Sequence, residues 1–317
     1  MPPILAAFFA FSGPAFWMSV AGLALLVIGL LAAKSEIARA RGLGRIVALT
    51  HLCFAIPLAV FGAEHFSLGS SMIGLVPPYM PVRLFWIYFV GVALIIAALS
   101  IATRIQVQWS GLLFGIMMIV FVAMIHFPGA VRSGDRIIWT IVIRELSFGG
   151  GGLVLAGIAF GRLHGKGKTL ITVGRVLIAI AAIVFGVQHF LHPTGVPGVP
   201  LAKQMPTWIP ARAVIDYLTG AFLIVGGICF LLARKTRVAA TYLGTWILLL
   251  VVAYYGPMLI GSLADPSPGT KLEGLNYFAD TLLFGATILS LAYACLESKK
   301  SFLDGVSTGS GSDLVKP

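Results

Sequence analysis

Glu64 and His65 stand side by side at the end of an apolar stretch, a carboxylate next to an imidazole. Such a pair can relay a proton, because histidine titrates near neutral pH and small changes around it move that titration. Further polar groups interrupt the apolar runs: His126, Arg144 and Glu145 in the first half, and Gln188, His189, Asp216, Tyr254, Tyr255 and Asp280 in the second. An ionisable side chain in a membrane helix costs about 2.5–3.5 kcal/mol on insertion scales, so each needs a reason. Arg144 is expected to pair with Glu64, Glu145 or Asp280, either locking helix to helix or fixing a working carboxylate. For His65 and His189 the alternatives are an interhelical hydrogen bond, a proton relay, a hydrogen bond to a quinone, or a metal. Adjacent helical residues point about 100° apart. Glu64 and His65 therefore cannot form a two-ligand face alone, and a metal would need His126 or another helix. No metal site is assigned.

The elements that must hold these groups follow from composition. Of 317 residues, 59% are hydrophobic and 10% charged, against about 25% charged in an ordinary soluble domain. Nine apolar segments, near 13–33, 45–65, 83–103, 109–128, 137–160, 170–190, 212–233, 238–261 and 276–296, have the length of membrane spans. In lipid a single segment satisfies its backbone hydrogen bonds only as a helix. The fold class is therefore an all-α integral membrane protein. The run from Ile4 to Ala33 is too long, and too poor in preceding basic residues, for a cleaved signal peptide. Its helix reads as an uncleaved extra span. The net charge of +11 does not point to nucleic acid, because the basic residues lie between apolar runs. They favour one set of helix ends, thirteen against six. The positive-inside rule then puts the C-terminus in the cytoplasm and the N-terminus outside. Longer proline-rich loops, near 66–82, 191–211 and 262–275, face outward. Cys53, Cys229 and Cys295 are unpaired in spacing and read as small core residues.

The chain also repeats itself. Phe61-Gly62-Ala63-Glu64-His65-Phe66 returns 124 residues later as Phe185-Gly186-Val187-Gln188-His189-Phe190. Pro77, Tyr79, Pro81, Arg83, Tyr88 and Gly91 return 129 residues later as Pro206, Trp208, Pro210, Arg212, Tyr217 and Gly220, and Glu145 matches Asp280 at an offset of 135. An even number of helices per unit gives both units one orientation, so they should be parallel repeats about an axis along the membrane normal. The predicted organisation is an extra helix and basic loop in 1–42, four-helix repeats in 43–165 and 166–298, and a disordered tail in 299–317. Gly149 to Gly152 read as a close-packing stripe. Pro57, Pro128 and Pro257 read as kinks or helix ends. Tyr79, Trp86, Trp139 and Trp208 fit an interfacial belt or the rim of an outer pocket.

The phrase Gly-x-x-His-Phe, then Pro-x-x-x-Pro-x-Arg and a helix with Tyr-x-x-Gly, resembles the DoxX-like family of small bacterial four-helix membrane proteins. It stands here as Gly62–Phe66 with Pro77–Gly91 and again as Gly186–Phe190 with Pro206–Gly220. The resemblance covers about residues 43–296 as two copies. It implies four-helix units with the His-Phe phrase at an outer helix end, in a bacterial inner membrane. Some members resemble subunits of thiosulfate:quinone oxidoreductases or of membrane complexes handling thiol and oxidative stress; related eukaryotic proteins look like cargo receptors. The expectation is an accessory or quinone-contacting subunit of a membrane redox system, with lipid and a redox protein as partners. His65 and Glu64 are the candidate relay, and His126, Arg144, Glu145, His189, Asp216 and Asp280 the candidate binding groups. The alternatives are a carrier or receptor for a lipid or small solute using the space between repeats, and a scaffold with no site of its own. Glu64 becomes Gln188 in the second copy, so the first copy is the expected working site.

Overall fold

The computed structural model describes residues 13–164 and 167–309. Among them, nine helices are long and apolar enough to cross a membrane, and no strand forms. These are α1 Pro14–Arg39, α2 Thr50–Leu68, α3 Arg83–Thr103, α4 Val107–Ser133, α5 Arg136–His164, α6 Lys168–Leu191, α7 Arg212–Leu231, α8 Thr236–Ala264 and α9 Pro268–Gly309. Large apolar side chains cover the outside, with Leu31, Val252 and Ile260 each at least 70% exposed. Such a surface fits a lipid bilayer and would be costly in water.

The order agrees with the nine predicted segments, and the main differences lie around α9. The stretch 262–275 was expected as an outer loop, yet α9 starts at Pro268. Ser267 explains this: its hydroxyl accepts from the Thr270 amide at 3.4 Å, and proline follows at the first helical position, where its missing N–H costs nothing. At the other end the helix continues to Gly309. The predicted tail is therefore helical through that residue, and its remainder, 310–317, lies outside the described residues, as do 1–12 and 165–166.

Two features of local geometry come from proline. The turns Val122–His126 in α4 and Val251–Tyr255 in α8 are π-helical, and each lies just before a proline, Pro128 or Pro257. A proline ring clashes with the carbonyl four residues back and offers no N–H. The helix widens instead: Phe127 N–H bonds Val122 O, and Gly256 N–H bonds Val251 O. The two π turns are 129 residues apart. The same spacing relates the non-glycine residues with left-handed backbone: Val82 to Ala211, Arg104 to Ala233, and Gln106 to Lys235. These residues make the tight turns into α3 and α7 and between α3–α4 and α7–α8.

α5 and α9 are enclosed over most of their length, α1 over little of its own. Arg144 meets Asp280 and Gly151 meets Thr287, both at a separation of 136 residues, so α5 and α9 run parallel. The four glycines of α5 face different neighbours. Gly149 and Gly152 press on α4 at Gly115 and Gly111, Gly150 presses on α6 at Gly174, and Gly151 on α9 and Phe54 of α2. No other residue leaves room for helices on three sides at once.

This predicts opposite effects for the same substitution along one helix. A Cβ at Gly152 would lie 2.8 Å from the Gly111 carbonyl oxygen, while at Gly161 nothing lies within 4 Å. Gly161→Ala should stabilise by about 0.5–1 kcal/mol from helix propensity alone. Gly152→Ala gains the same propensity but must displace backbone, and should lose about 1–3 kcal/mol net. Thermal unfolding in detergent checks both, and a raised melting temperature for Gly152→Ala would contradict the packing.

Candidate functional site

α2 carries Glu64 and His65 on its last turns, and α9 brings Asn276 beside them. Asn276 Nδ2 donates to Glu64 Oε1 at 2.8 Å. The His65 ring bonds the Phe61 carbonyl through Nδ1 at 2.8 Å. A carbonyl only accepts, so Nδ1 carries the proton and the neutral ring presents Nε2 as an acceptor. Arg144 comes from α5. It donates from Nη2 to Glu145 Oε1 at 2.7 Å and from Nη1 to Asp280 Oδ2 at 2.6 Å. Its guanidinium carbon lies 5.7 Å from the centre of the Phe148 ring. Arginine suits this position because its planar fork can serve two carboxylates at once. One expected role is corrected here. Arg144 does not fix Glu64; it bridges Glu145 and Asp280, and Asn276 holds Glu64.

These groups border one cavity of about 560 Å³. Glu64, His65, His126, Arg144, Glu145, Asn276 and Asp280 line it, together with a mostly apolar wall from α2, α3, α4, α5, α9 and the 69–82 loop. The wall includes Phe61, Trp86, Phe89, Phe114, Phe121 and Phe148, and Met72, Met80, Met117, Met118 and Met124. Five of the chain's nine methionines are thus in one place. Methionine is flexible and polarizable and adapts to irregular apolar ligands. Phe89 and Val120 line the cavity and are also 52% and 41% exposed, so it reaches the outer apolar surface between α3 and α4. His126 is the last residue of the π turn.

His189 and Asp216 are not in this cavity. His189 Nδ1 lies 3.1 Å from Asp216 Oδ1, both fully buried. The 192–211 loop folds down onto them. Gly198 N–H donates to His189 Nε2 at 3.1 Å, and Tyr255 donates its hydroxyl proton to the Pro197 carbonyl at 2.7 Å. Val196, Val199 and Met205 of the same loop are 2% exposed or less. Gly198 has φ +100, a conformation that favours glycine. The loop is thus a plug rather than an exposed cap. Gln188 bonds outside the plugged site, accepting from Arg136 Nη1 at 3.1 Å and Thr140 Oγ1 at 3.0 Å.

Of the predicted site residues, Glu64, His65, His126, Arg144, Glu145 and Asp280 converge, while His189 and Asp216 form a separate pair. Trp86 lines the cavity; Tyr79 and Trp208 are more than 60% exposed and stand away from it. Asn276 was missed, because a lone asparagine at the first residue of a predicted span carries no pattern. The methionine cluster was visible in the sequence as a local excess between residues 72 and 124. Among the described residues no group of three His, Cys, Asp or Glu side chains gathers as a metal site. The three cysteines are free, Cys53 buried and the others half-buried. Compared with protein-family models, curated proteins and solved structures, the chain has no match.

Proposed function

We propose that this chain is a multi-pass inner-membrane protein of two fused, parallel DoxX-like repeats that binds an isoprenoid quinone in its first repeat, as the quinone-contacting subunit of a membrane redox system. The N-terminus is outside and the C-terminus cytoplasmic, so the cavity lies in the extracytoplasmic half. The duplication is supported by π turns, left-handed caps and close glycine pairs that recur together: Gly62 packs on Gly91 as Gly186 packs on Gly220, and Phe66 stacks on Tyr88 as Phe190 stacks on Tyr217. The parallel run of α5 and α9 supports one orientation for both units.

The observation that carries the functional reading is the cavity itself. An apolar, methionine-rich and aromatic wall reaches the lipid-facing surface between α3 and α4, and ends on histidines and carboxylates. Such a shape takes a molecule with a hydrocarbon tail and a small polar head that exchanges protons. His65 and Glu64 sit where they could pass that proton to the outer face. A carrier using the space between the repeats finds less support, since Gly151, Thr287 and the Arg144 bridge fill that contact.

The test is a photoreactive benzoquinone with a short isoprenoid tail, cross-linked to the purified protein and mapped by peptide mass spectrometry. Label is expected on α3 and α4 around Phe89, Val120 and Met124, and competition by unlabelled quinone should remove it. Label scattered over the lipid-facing surface, or insensitive to competition, would refute the reading.

A further inference from the structure

The plug in the second half is a template for what the open cavity takes. His65 and His189 correspond at the offset of 124, and His126 and Tyr255 at 129. In the second half one peptide unit occupies the site between the corresponding groups. Its N–H, from Gly198, is accepted by His189 Nε2; its C=O, from Pro197, is bonded by the Tyr255 hydroxyl. The occupant therefore supplies one donor to the histidine and one acceptor to residue 255. Accepting that N–H requires an unprotonated His189 Nε2 and leaves the proton on Nδ1, 3.1 Å from Asp216 Oδ1; Nε2 also lies 3.3 Å from the Gly198 carbonyl oxygen.

In the first half, His65 holds the same tautomer by a different route, with Nδ1 tied to the Phe61 carbonyl. Nε2 is again the nitrogen left over, and the His65 side chain borders the open cavity. Most of the groups around it are acceptors as well, the buried Arg144 Nε–H, unpartnered among the described residues, being a donor. Glu64 is a carboxylate whose Oε1 takes the Asn276 amide proton, and Glu145 and Asp280 are carboxylates held by Arg144. The buried Asn276 Oδ1 has no hydrogen-bond partner among the described residues. A head group with acceptors alone finds donors at Arg144 Nε and His126 but sets lone pair against lone pair at His65 Nε2, Glu64 and Asn276 Oδ1, whose acceptor capacity then stays unsatisfied. A head group with a hydroxyl can donate to His65 Nε2 and accept at His126, as the peptide unit does in the second half.

We propose that the open cavity selects the hydroquinone over the quinone, with His65 Nε2 accepting a ligand hydroxyl where His189 Nε2 accepts the Gly198 amide. This rests on the quinone reading above and adds the redox form and the contact that recognises it. Binding involves no net chemistry: the hydroxyl remains bonded to its proton, shared with the imidazole.

The experiment is calorimetric titration of the nanodisc-embedded protein, without oxygen, using three probes: a short-chain benzoquinone, its hydroquinone, and the hydroquinone dimethyl ether, which can accept but not donate. The hydroquinone is expected to bind at least tenfold tighter than either of the others. His65→Leu should bring all three within about twofold, His65→Gln, whose carbonyl can accept, should keep part of the preference, and His189→Leu should leave the preference intact. Equal or tighter binding of the quinone or of the dimethyl ether overturns the selection for the reduced form while sparing the quinone reading. If no probe binds, the quinone reading itself fails. Should His65→Leu not fold, the comparison of the three probes on the natural chain still decides the matter.

Discussion

Replacing Arg144 with leucine is expected to cost about 3–5 kcal/mol of stability, because it leaves carboxylates buried without their cation. Arg144, Glu145 and Asp280 side chains are 16%, 10% and 7% exposed at most in their pairs, too little for water to replace the lost partner. The bridge also ties α5 to α9, the two most enclosed helices. Arg144→Leu combined with Asp280→Leu should recover part of the loss, and adding Glu145→Gln should recover more, because no unpaired charge then remains. Neutral replacement of a whole buried ionic cluster is often tolerated. The measurement is thermal unfolding in detergent for the single, double and triple variants. Equal losses in all three would show that the charges are not coupled.

Deleting Val196–Pro200 should have a comparably large effect and expose a second site. The deletion shortens the second outer loop by the five residues that separate the offset of 124 before it from 129 after it. Val196 and Val199 are fully buried, and burial of each contributes about 1.5–3 kcal/mol. His189 Nε2 and the Tyr255 hydroxyl lose their partners, each at a cost of about 1–3 kcal/mol if nothing replaces them. A lower melting temperature is therefore expected, partly restored by added hydroquinone, together with a rise in bound ligand from one to two per chain. A variant as stable as the parent, with unchanged ligand content, would mean that the loop is dispensable and no plug.

Much of this architecture was legible in the residues. The nine spans, their order and the α5 glycine stripe follow from apolar run lengths and small-residue spacing, which act locally. The prolines at 128 and 257 mark real departures from regular α-helix, in the form of a widened turn just before each ring. Arg144 announced its need for a carboxylate because an unpaired guanidinium is too costly in lipid. Which carboxylates it takes depends on how α5 sits against α9, a tertiary fact. The same holds for Glu64, which meets Asn276 from 212 residues away. The least legible feature was the plug. Proline-rich, Val-Pro-Gly-Val-Pro reads as surface loop, and only packing reveals that it is core. The signal was nonetheless present as the change of offset between the two repeated phrases, since five extra residues had to go somewhere.

The central claim is that the two halves share one design, open in the first and filled by its own chain in the second. The most direct test is the stoichiometry and location of bound quinone-class ligand in the natural chain. Native mass spectrometry on gently extracted protein, followed by photo-cross-linking with the short-tailed benzoquinone, should find one ligand per chain, on the cavity bordered by His65, His126 and Arg144. Two ligands per chain, or label concentrated between α7 and α8 of the second half, would contradict it.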